Sequence, residues 1–256
     1  AMGDKTMSNA KGCIIVTGAS RGIGAGIALR LAKAGYDVGC LSRSGERPQI
    51  EGVAPEIAAR WFEAKCDVSQ PDQLAAVFKD IEARSGSRLV GLVNNAGIHS
   101  ADKITEISGD EWRKVMDVNA YSVLAASQSI YPYLIKNNGG IIVNIGSFYD
   151  KLGVKQHLVY CATKAAVGAM TRCMAVEWAP KNIRVINIGP GYILTEFNRE
   201  AMEEGALAAY LAKRIPGGKP GQADDVGNLV TKLFELDSPF LTGDTIYIDG
   251  AHGMLQ

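Results

Sequence analysis

The stretch Cys13-Ile14-Ile15-Val16-Thr17-Gly18-Ala19-Ser20-Arg21-Gly22-Ile23-Gly24-Ala25-Gly26-Ile27-Ala28-Leu29-Arg30-Leu31-Ala32 decides the fold. Its first five residues form a short apolar, β-rich run, and its last eight place apolar residues at helical spacing. Between them stand Gly18, Gly22 and Gly24. Strand, glycine turn and helix thus follow one another without a spacer, the opening of a βαβ unit. The spacing is G-x-x-x-G-x-G, not the G-x-G-x-x-G of the dinucleotide fingerprint, but the physical needs are the same. Glycine permits the tight turn and lets backbone approach a pyrophosphate. The helix start adds free N–H groups and the positive end of its dipole. Gly18, Ser20, Arg21, Gly22, Ile23 and Gly24 are therefore candidate phosphate-binding residues. A glycine-rich turn that binds nothing is the plainer alternative.

Apolar, strand-like runs recur outward from this point, at 13–17, 36–42, 61–66, 89–93, 141–146, 183–188 and 245–248. Helical patterns lie between them, at about 22–34, 71–85, 110–136, 158–179 and 223–236. Such alternation implies an α/β fold, a parallel sheet covered by helices on both faces. A chain of 256 residues with 47% hydrophobic content suits one α/β domain with a sizeable core, here 11–256. There is no repeat and no internal linker. The second crossover is unusual: residues 45–55 hold two prolines and two glycines, which oppose a regular helix. Residues 1–10 are polar and lack periodicity, and are read as a disordered terminus or a cloning remnant.

Lys and Arg together number 27, as do Asp and Glu, so the formal charge is zero. That balance gives no argument for nucleic acid or an anionic membrane as partner. No run of 18 apolar residues and no charged, apolar leader is present, which leads to an expectation of a cytoplasmic protein. The five cysteines are odd in number, scattered and without metal-ligand spacing, so reduced thiols and no metal site are expected.

Tyr160 and Lys164 stand four residues apart, on one face of a predicted helix, thirteen residues after Ser147. A phenol titrates near ~10 in water. A neighbouring ammonium lowers that value and makes the tyrosine a plausible acid or base. A lone pair of this kind is usually a solvated helix face. It gains meaning beside Ser147 and the glycine turn.

Taken together, the ordered set Thr17-Gly18-Ala19-Ser20-Arg21-Gly22-Ile23-Gly24, Asn94-Asn95-Ala96-Gly97, Asn119, Ser147, Tyr160 with Lys164, and Pro190-Gly191 with Thr195 resembles the short-chain dehydrogenase/reductase family over roughly residues 11 to 250. The resemblance implies a single-domain, doubly wound Rossmann fold with a mostly parallel seven-stranded sheet. It implies hydride transfer between a nicotinamide cofactor and a carbonyl or secondary alcohol. Tyr160 would exchange the proton, Ser147 would hydrogen-bond the substrate oxygen, and Lys164 would hold the ribose. Asn119 resembles the residue that holds a water in the proton relay. Asp67 and Val68 resemble the pair that flanks the adenine. Asn94, Ala96 and Gly97 would line the cofactor crevice, although one asparagine tying strand ends together is an equal reading. Pro190, Gly191, Ile193 and Thr195 resemble the segment over the nicotinamide.

The choice between cofactors rests on the end of the second strand. An acidic residue there would bond the ribose 2′-hydroxyl, whereas an arginine accommodates a 2′-phosphate. Ser42 occupies that position and Arg43 follows, with Arg21 a second cation. NADP is the expected cofactor and NAD the runner-up. Residues 192–218 resemble the family's substrate loop, which names no ligand. The pattern is closest to 3-oxoacyl-[acyl-carrier-protein] reductases and carbonyl reductases. Against a carrier-protein partner, only Lys136 precedes the Asn137-Asn138-Gly139-Gly140 turn. A small-molecule carbonyl or alcohol is therefore favoured slightly, with an NAD-dependent alcohol or sugar dehydrogenase and a non-catalytic dinucleotide-binding protein as alternatives. By family habit the Ala-rich helices at 110–136 and 158–179 would pair into a homotetramer. Cys161 and His157 read as packing or solvated residues, and Phe148, Tyr149 and Trp178 as pocket lining or packing.

Overall fold

A computed structural model describes residues 10–254. The expectation made for residues 1–10 falls, but for Ala10, outside them. The elements in chain order are β1 (Cys13–Thr17), α1 (Gly22–Lys33), β2 (Asp37–Ser42), α2 (Pro55–Ala58), β3 (Trp61–Lys65), α3 (Pro71–Ser85), β4 (Leu89–Asn94), α4 (Gly109–Met116), α5 (Ser122–Lys136), β5 (Gly140–Ile145) and α6 (Leu158–Trp178). There follow β6 (Ile183–Pro190), β7 (Ile193–Leu194), α7 (Arg199–Glu203), α8 (Gly205–Arg214), β8 (Gly221–Gln222), α9 (Ala223–Glu235) and β9 (Thr245–Ile248).

Seven strands form one sheet in the order β3-β2-β1-β4-β5-β6-β9, and every neighbouring pair is parallel. Chain order reverses between β1 and β4, so a crevice opens at their carboxyl ends. The strands are apolar on both sides because helices cover both faces. Alternation along β1 shows this directly. Ile14 and Val16 pack with Ile27 and Leu31 of α1 and Val226 and Val230 of α9. Cys13 and Ile15 pack with Leu74, Phe78 and Ile81 of α3 and Ile130 and Leu134 of α5. All of these side chains are wholly buried. Each such Leu, Ile or Phe contributes about 1.5–3 kcal/mol of apolar burial.

Helix ends follow local chemistry. Ser108 caps α4 by accepting from Glu111 N at 3.1 Å. Gln222 and Asp225 form a capping box on α9. Pro71 opens α3, and Gly86, at φ +67°, closes it in the left-handed conformation. The second crossover carries only the one-turn α2, as its prolines and glycines require. The helix expected over 110–136 is not uniform. A π-helical turn at Asp117–Tyr121 separates α4 from α5. Residues 192–218 are not a bare loop: they contain β7, which pairs with β8, and helices α7 and α8.

Asn94, at the end of β4, points into the sheet layer and not toward the crevice. Its Nδ2 donates to Asn144 Oδ1 at 2.9 Å on β5 and to Ser127 Oγ at 3.3 Å on α5. Asn144 Nδ2 in turn donates to Thr171 Oγ1 at 2.9 Å on α6. The expected cofactor contact from Asn94 is thus replaced by a buried amide network, because an interior amide must find partners. Replacing Asn94 by Ala strands Asn144 Oδ1 in the interior. The expected cost is about 1–3 kcal/mol, read in denaturant unfolding, with dinucleotide affinity within twofold of the parent. A tenfold loss of dinucleotide affinity at unchanged stability would put Asn94 back at the ligand.

Candidate active site

The crevice at the β1–β4 fork is a cleft of about 610 Å³. Gly18, Ser20 and Arg21 form one wall, Ser42 and Arg43 the next, Asp67 and Val68 the third, and Ala96 and Gly97 the floor. Nine of the residues expected at a cofactor are therefore brought together. Gly18 holds φ +65°, and a Cβ there would lie 2.9 Å from Ala96 Cα. A Cβ on Gly24 would collide with Gly18 O and Asn95 Nδ2. Glycine is required at Gly18 by contact and by conformation, and at Gly24 by contact. Helix α1 has Arg21 at its N-cap in extended conformation, with no side chain capping it. Its first N–H groups are left for an anion. These features fit a dinucleotide.

The remaining expected residues lie elsewhere around the rim. Gly22 and Thr195 line a neighbouring cavity of about 250 Å³. Pro190 ends β6, and Gly191 N donates to Ile248 O at 3.0 Å. Ile193 is buried in β7 against Gly221. Ile23 follows in the first turn of α1 and packs against the core. None of these six lies on the wall of the larger cleft.

Two cations meet the cleft at the end of β2. Among the described residues Arg43 has no carboxylate partner, and Arg21 has only the Phe197 ring, 4.8 Å from its guanidinium carbon. The carboxylate of the turn, Glu46, accepts from Ser44 Oγ at 3.1 Å and is not on the cleft wall. Asp67 is on the wall, but its Oδ1 accepts from Ser69 N at 3.0 Å and Ser69 Oγ at 2.7 Å.

The catalytic candidates gather beyond Gly97. A Cβ on Gly97 would sit 3.3 Å from Asn119 Oδ1 and 3.8 Å from Lys164 Nζ. Lys164, only 5% exposed, donates to Ile145 O at 2.8 Å. Burial lowers its pKa to about 8. Its Nζ lies 5.5 Å from the Tyr160 ring centroid. Ser147 is buried at the carboxyl end of β5, and its hydroxyl hydrogen-bonds the Tyr160 phenol. Lys164 was expected to depress the phenol; the balance here runs the other way. Burial pushes Tyr160 up to about 12, with the Ser147 hydroxyl acting in the opposite direction. Burial disfavours the phenolate.

Asn119 sits in the π-helical turn, which carries its side chain inward. Its Oδ1 accepts from Ile98 N at 2.7 Å, and its Nδ2 donates to Ile98 O at 2.9 Å and Thr163 Oγ1 at 3.3 Å. The amide is a clamp between the loop after β4 and α6.

Further residues shape the fork and the surroundings of Tyr160. Asn95, not Asn94, closes the fork: its Nδ2 donates to Thr17 O and Gly18 O at 3.1 and 3.0 Å. Thr17 Oγ1 accepts from Asn95 N and Ala96 N, both at 3.0 Å. An aromatic shell surrounds Tyr160, with His99 at 4.9 Å and Tyr149 at 5.9 Å between ring centroids. His157 stacks on Tyr149 at 5.6 Å. Tyr149 Oη and Tyr192 Oη are 2.9 Å apart. Cys161 has its thiol raised by burial and is not activated. Among the described residues no group of three His, Cys, Asp or Glu is placed to hold a metal ion. No described helix is long and apolar enough to cross a membrane.

Known proteins share this arrangement. The family model described as enoyl-(acyl carrier protein) reductase matches residues 18–252. The chain is 34% identical over 239 residues to a 3-oxoacyl-[acyl-carrier-protein] reductase of Staphylococcus aureus, covering 92% of this chain and 96% of that protein. It is 33% identical over 244 residues to the 5-keto-D-gluconate 5-reductase of Escherichia coli, covering 94% of each. A gluconate 5-dehydrogenase from Burkholderia cenocepacia, solved with NADP and tartrate, superposes with TM-score 0.85 at 30% identity over 96% of this chain and 97% of that one. With the seven-stranded parallel sheet and the Ser147, Tyr160 and Lys164 cluster at its crevice, the chain belongs to the short-chain dehydrogenase/reductase family and is an oxidoreductase.

Proposed function

We propose that this protein interconverts a carbonyl and a secondary alcohol with NADP(H), using Tyr160 as the acid and base. The observation that carries the reading is the buried Lys164 beside Tyr160, with the Ser147 hydroxyl on the phenol, at the edge of the glycine-rich cleft. Arg21, Ser42 and Arg43 would hold the 2′-phosphate end, α1 and the glycine turn the pyrophosphate, and Asp67 and Val68 the adenine. Pro190, Gly191, Ile193 and Thr195 would cover the nicotinamide end. Bound there, the nicotinamide supplies hydride to the carbonyl carbon.

The chain's own groups then act on the carbonyl oxygen. Ser147 donates a hydrogen bond to it, and Tyr160 donates the proton as negative charge develops. Because burial holds the phenol near 12, it carries its proton throughout the neutral range. That suits Tyr160 to proton donation near pH 7. Lys164 must be charged to hold ribose hydroxyls and stabilise the departing proton's phenolate. The sign follows from its lowered pKa: below about 8 the ammonium is present, and above it the charge is lost.

A specific finding keeps a second substrate reading in view. Similarity to the staphylococcal reductase favours a 3-oxoacyl thioester, whereas similarity to the gluconate enzymes favours a keto sugar acid. Exposed Trp112, Tyr121, Leu158 and Val176, the last 80% exposed, lie on α4, the π turn and α6. We read these helices as the contacts of a homotetramer.

Three outcomes are expected. NADPH oxidation with a panel of ketones, keto sugar acids and 3-oxoacyl thioesters turns over in the parent. In Tyr160→Phe, kcat falls about 10²–10⁴-fold, and the parent's reductive kcat/KM declines as pH rises through about 8. A variant that keeps its rate would remove Tyr160 from the mechanism. Arg43→Ala raises KM for NADPH at least tenfold while KM for NADH changes less than threefold; equal effects on both would sink the NADP assignment. Light scattering in solution gives a mass near four times 27.3 kDa, and a monomer mass across the concentration range would overturn the tetramer.

A further inference from the structure

Phe197 is a large apolar side chain that burial does not hold, being 70% exposed. Its ring meets Arg21, whose guanidinium carbon stands over it, 4.8 Å from the ring centroid. Arg21 lines the dinucleotide cleft and makes no ion pair among the described residues.

The backbone places the ring there. β7 is fixed by its pairing with β8 and by the burial of Ile193 and Leu194. In the turn that follows, Asn198 clips the chain: its Oδ1 accepts from Thr195 N at 2.7 Å, and its Nδ2 donates to Ile193 O at 2.9 Å. Thr195 lies beside the glycine turn, since a Cβ on Gly22 would stand 3.4 Å from its Cγ2. Two residues further on, Phe197 comes to rest on the side chain of the residue before Gly22. A carboxylate in that place would take up N–H donors and cancel the charge. A π face attracts the cation and leaves its N–H donors free for an anion. An arginine already held in place also loses less freedom when it meets a phosphate.

We propose that Phe197 is a positioning residue for the cofactor: its ring holds Arg21 at the cleft wall, charged and with its donors free, and so favours a dinucleotide that carries a 2′-phosphate over one that does not. The proposal rests on the reading of Arg21 as a ligand of that phosphate. Phe197 acts through Arg21 and not by touching the phosphate itself.

Calorimetric titration of the full chain with NADPH and with NADH tests it. The exposed position of Phe197 lets its variants fold. In Phe197→Leu, which keeps an apolar cover and removes the π face, the NADPH dissociation constant rises about two- to fivefold, the size of an exposed cation–ring contact. The NADH constant is unchanged, so the ratio of the two rises at least twofold. Phe197→Trp, with the strongest π face, keeps the parent ratio. On an Arg21→Met background, Phe197→Leu changes neither constant, as a contact made between these two side chains requires. A ratio that rises less than twofold in Phe197→Leu overturns the proposal. So does a loss that Phe197→Trp shares, or one that persists without Arg21, because either makes Phe197 a structural part of the turn. Failure of the underlying cofactor reading has a different signature: Arg21→Met would itself weaken NADPH and NADH equally, and the proposal would fall with it. Where Arg21→Met is selective for NADPH and Phe197→Leu is silent, the cofactor reading stands and the proposal alone is lost.

Discussion

The site depends on how β1 and β4 part at their carboxyl ends. The strands pair in parallel up to Val16 and Val93. Beyond that point the backbone groups at the fork would lose their ladder partners. Thr17 and Asn95 replace the missing ladder: the threonine hydroxyl takes two backbone N–H groups, and the asparagine amide donates to Thr17 O and Gly18 O. Each buried polar group at the fork is thereby satisfied. The geometry that satisfies them also packs Gly18 against Ala96 and Gly24 against Gly18 O and Asn95. The cleft is what remains when those backbones are drawn together, so its shape is set by hydrogen bonding in the sheet before any ligand is considered.

The same sheet end sets the chemistry. β5 delivers Ile145 O and Ser147 to the place where α6 presents Tyr160 and Lys164. Burying an ammonium costs free energy unless it is bonded, and Ile145 O supplies one bond to a group with three donors. The ammonium lies 3.8 Å from where a Cβ on Gly97, on the cleft floor, would stand. Desolvation acts on both members of the pair and in opposite senses: it holds Tyr160 protonated and draws the Lys164 pKa toward neutrality. Simple proximity of a cation to a phenol predicts the reverse for the tyrosine. The difference lies in burial, which disfavours the phenolate.

Much of the fold was legible because its signals are local. A strand, a glycine turn and a helix in succession need no distant contact to be recognised, and the two prolines and two glycines of 45–55 correctly argued against a full second crossover helix. Tyr160, Lys164 and Ser147 were legible for the same reason, through spacing and order. What escaped is non-local. Asn94 and Asn95 are adjacent and chemically identical; only the pleat, which sends successive side chains to opposite sides, makes one a core tie and the other the clasp of the fork. The π turn at 117–121 has no compositional mark, because α and π turns differ by one residue of register. His99, His157 and His252 stand far apart in the chain, and each alone reads as an ordinary loop histidine. Only the folded loops bring the first two to within 4.6 Å of each other.

That division between local and non-local signals explains why the reaction class is easier to read than the substrate. Ser147, Tyr160 and Lys164 hang on β5 and α6, elements fixed by the sheet, and their spacing survives in sequence. The aromatic shell beyond Tyr160 is assembled from the turn after β5, the segment from Tyr192 through α8, and the residues after β9. Those pieces touch one another through aromatic faces, Tyr192 on His252, Phe148 on Tyr192 and Tyr210 beside His252. Aromatic contacts are permissive of sequence, since many ring pairs satisfy the same geometry, so no motif records them.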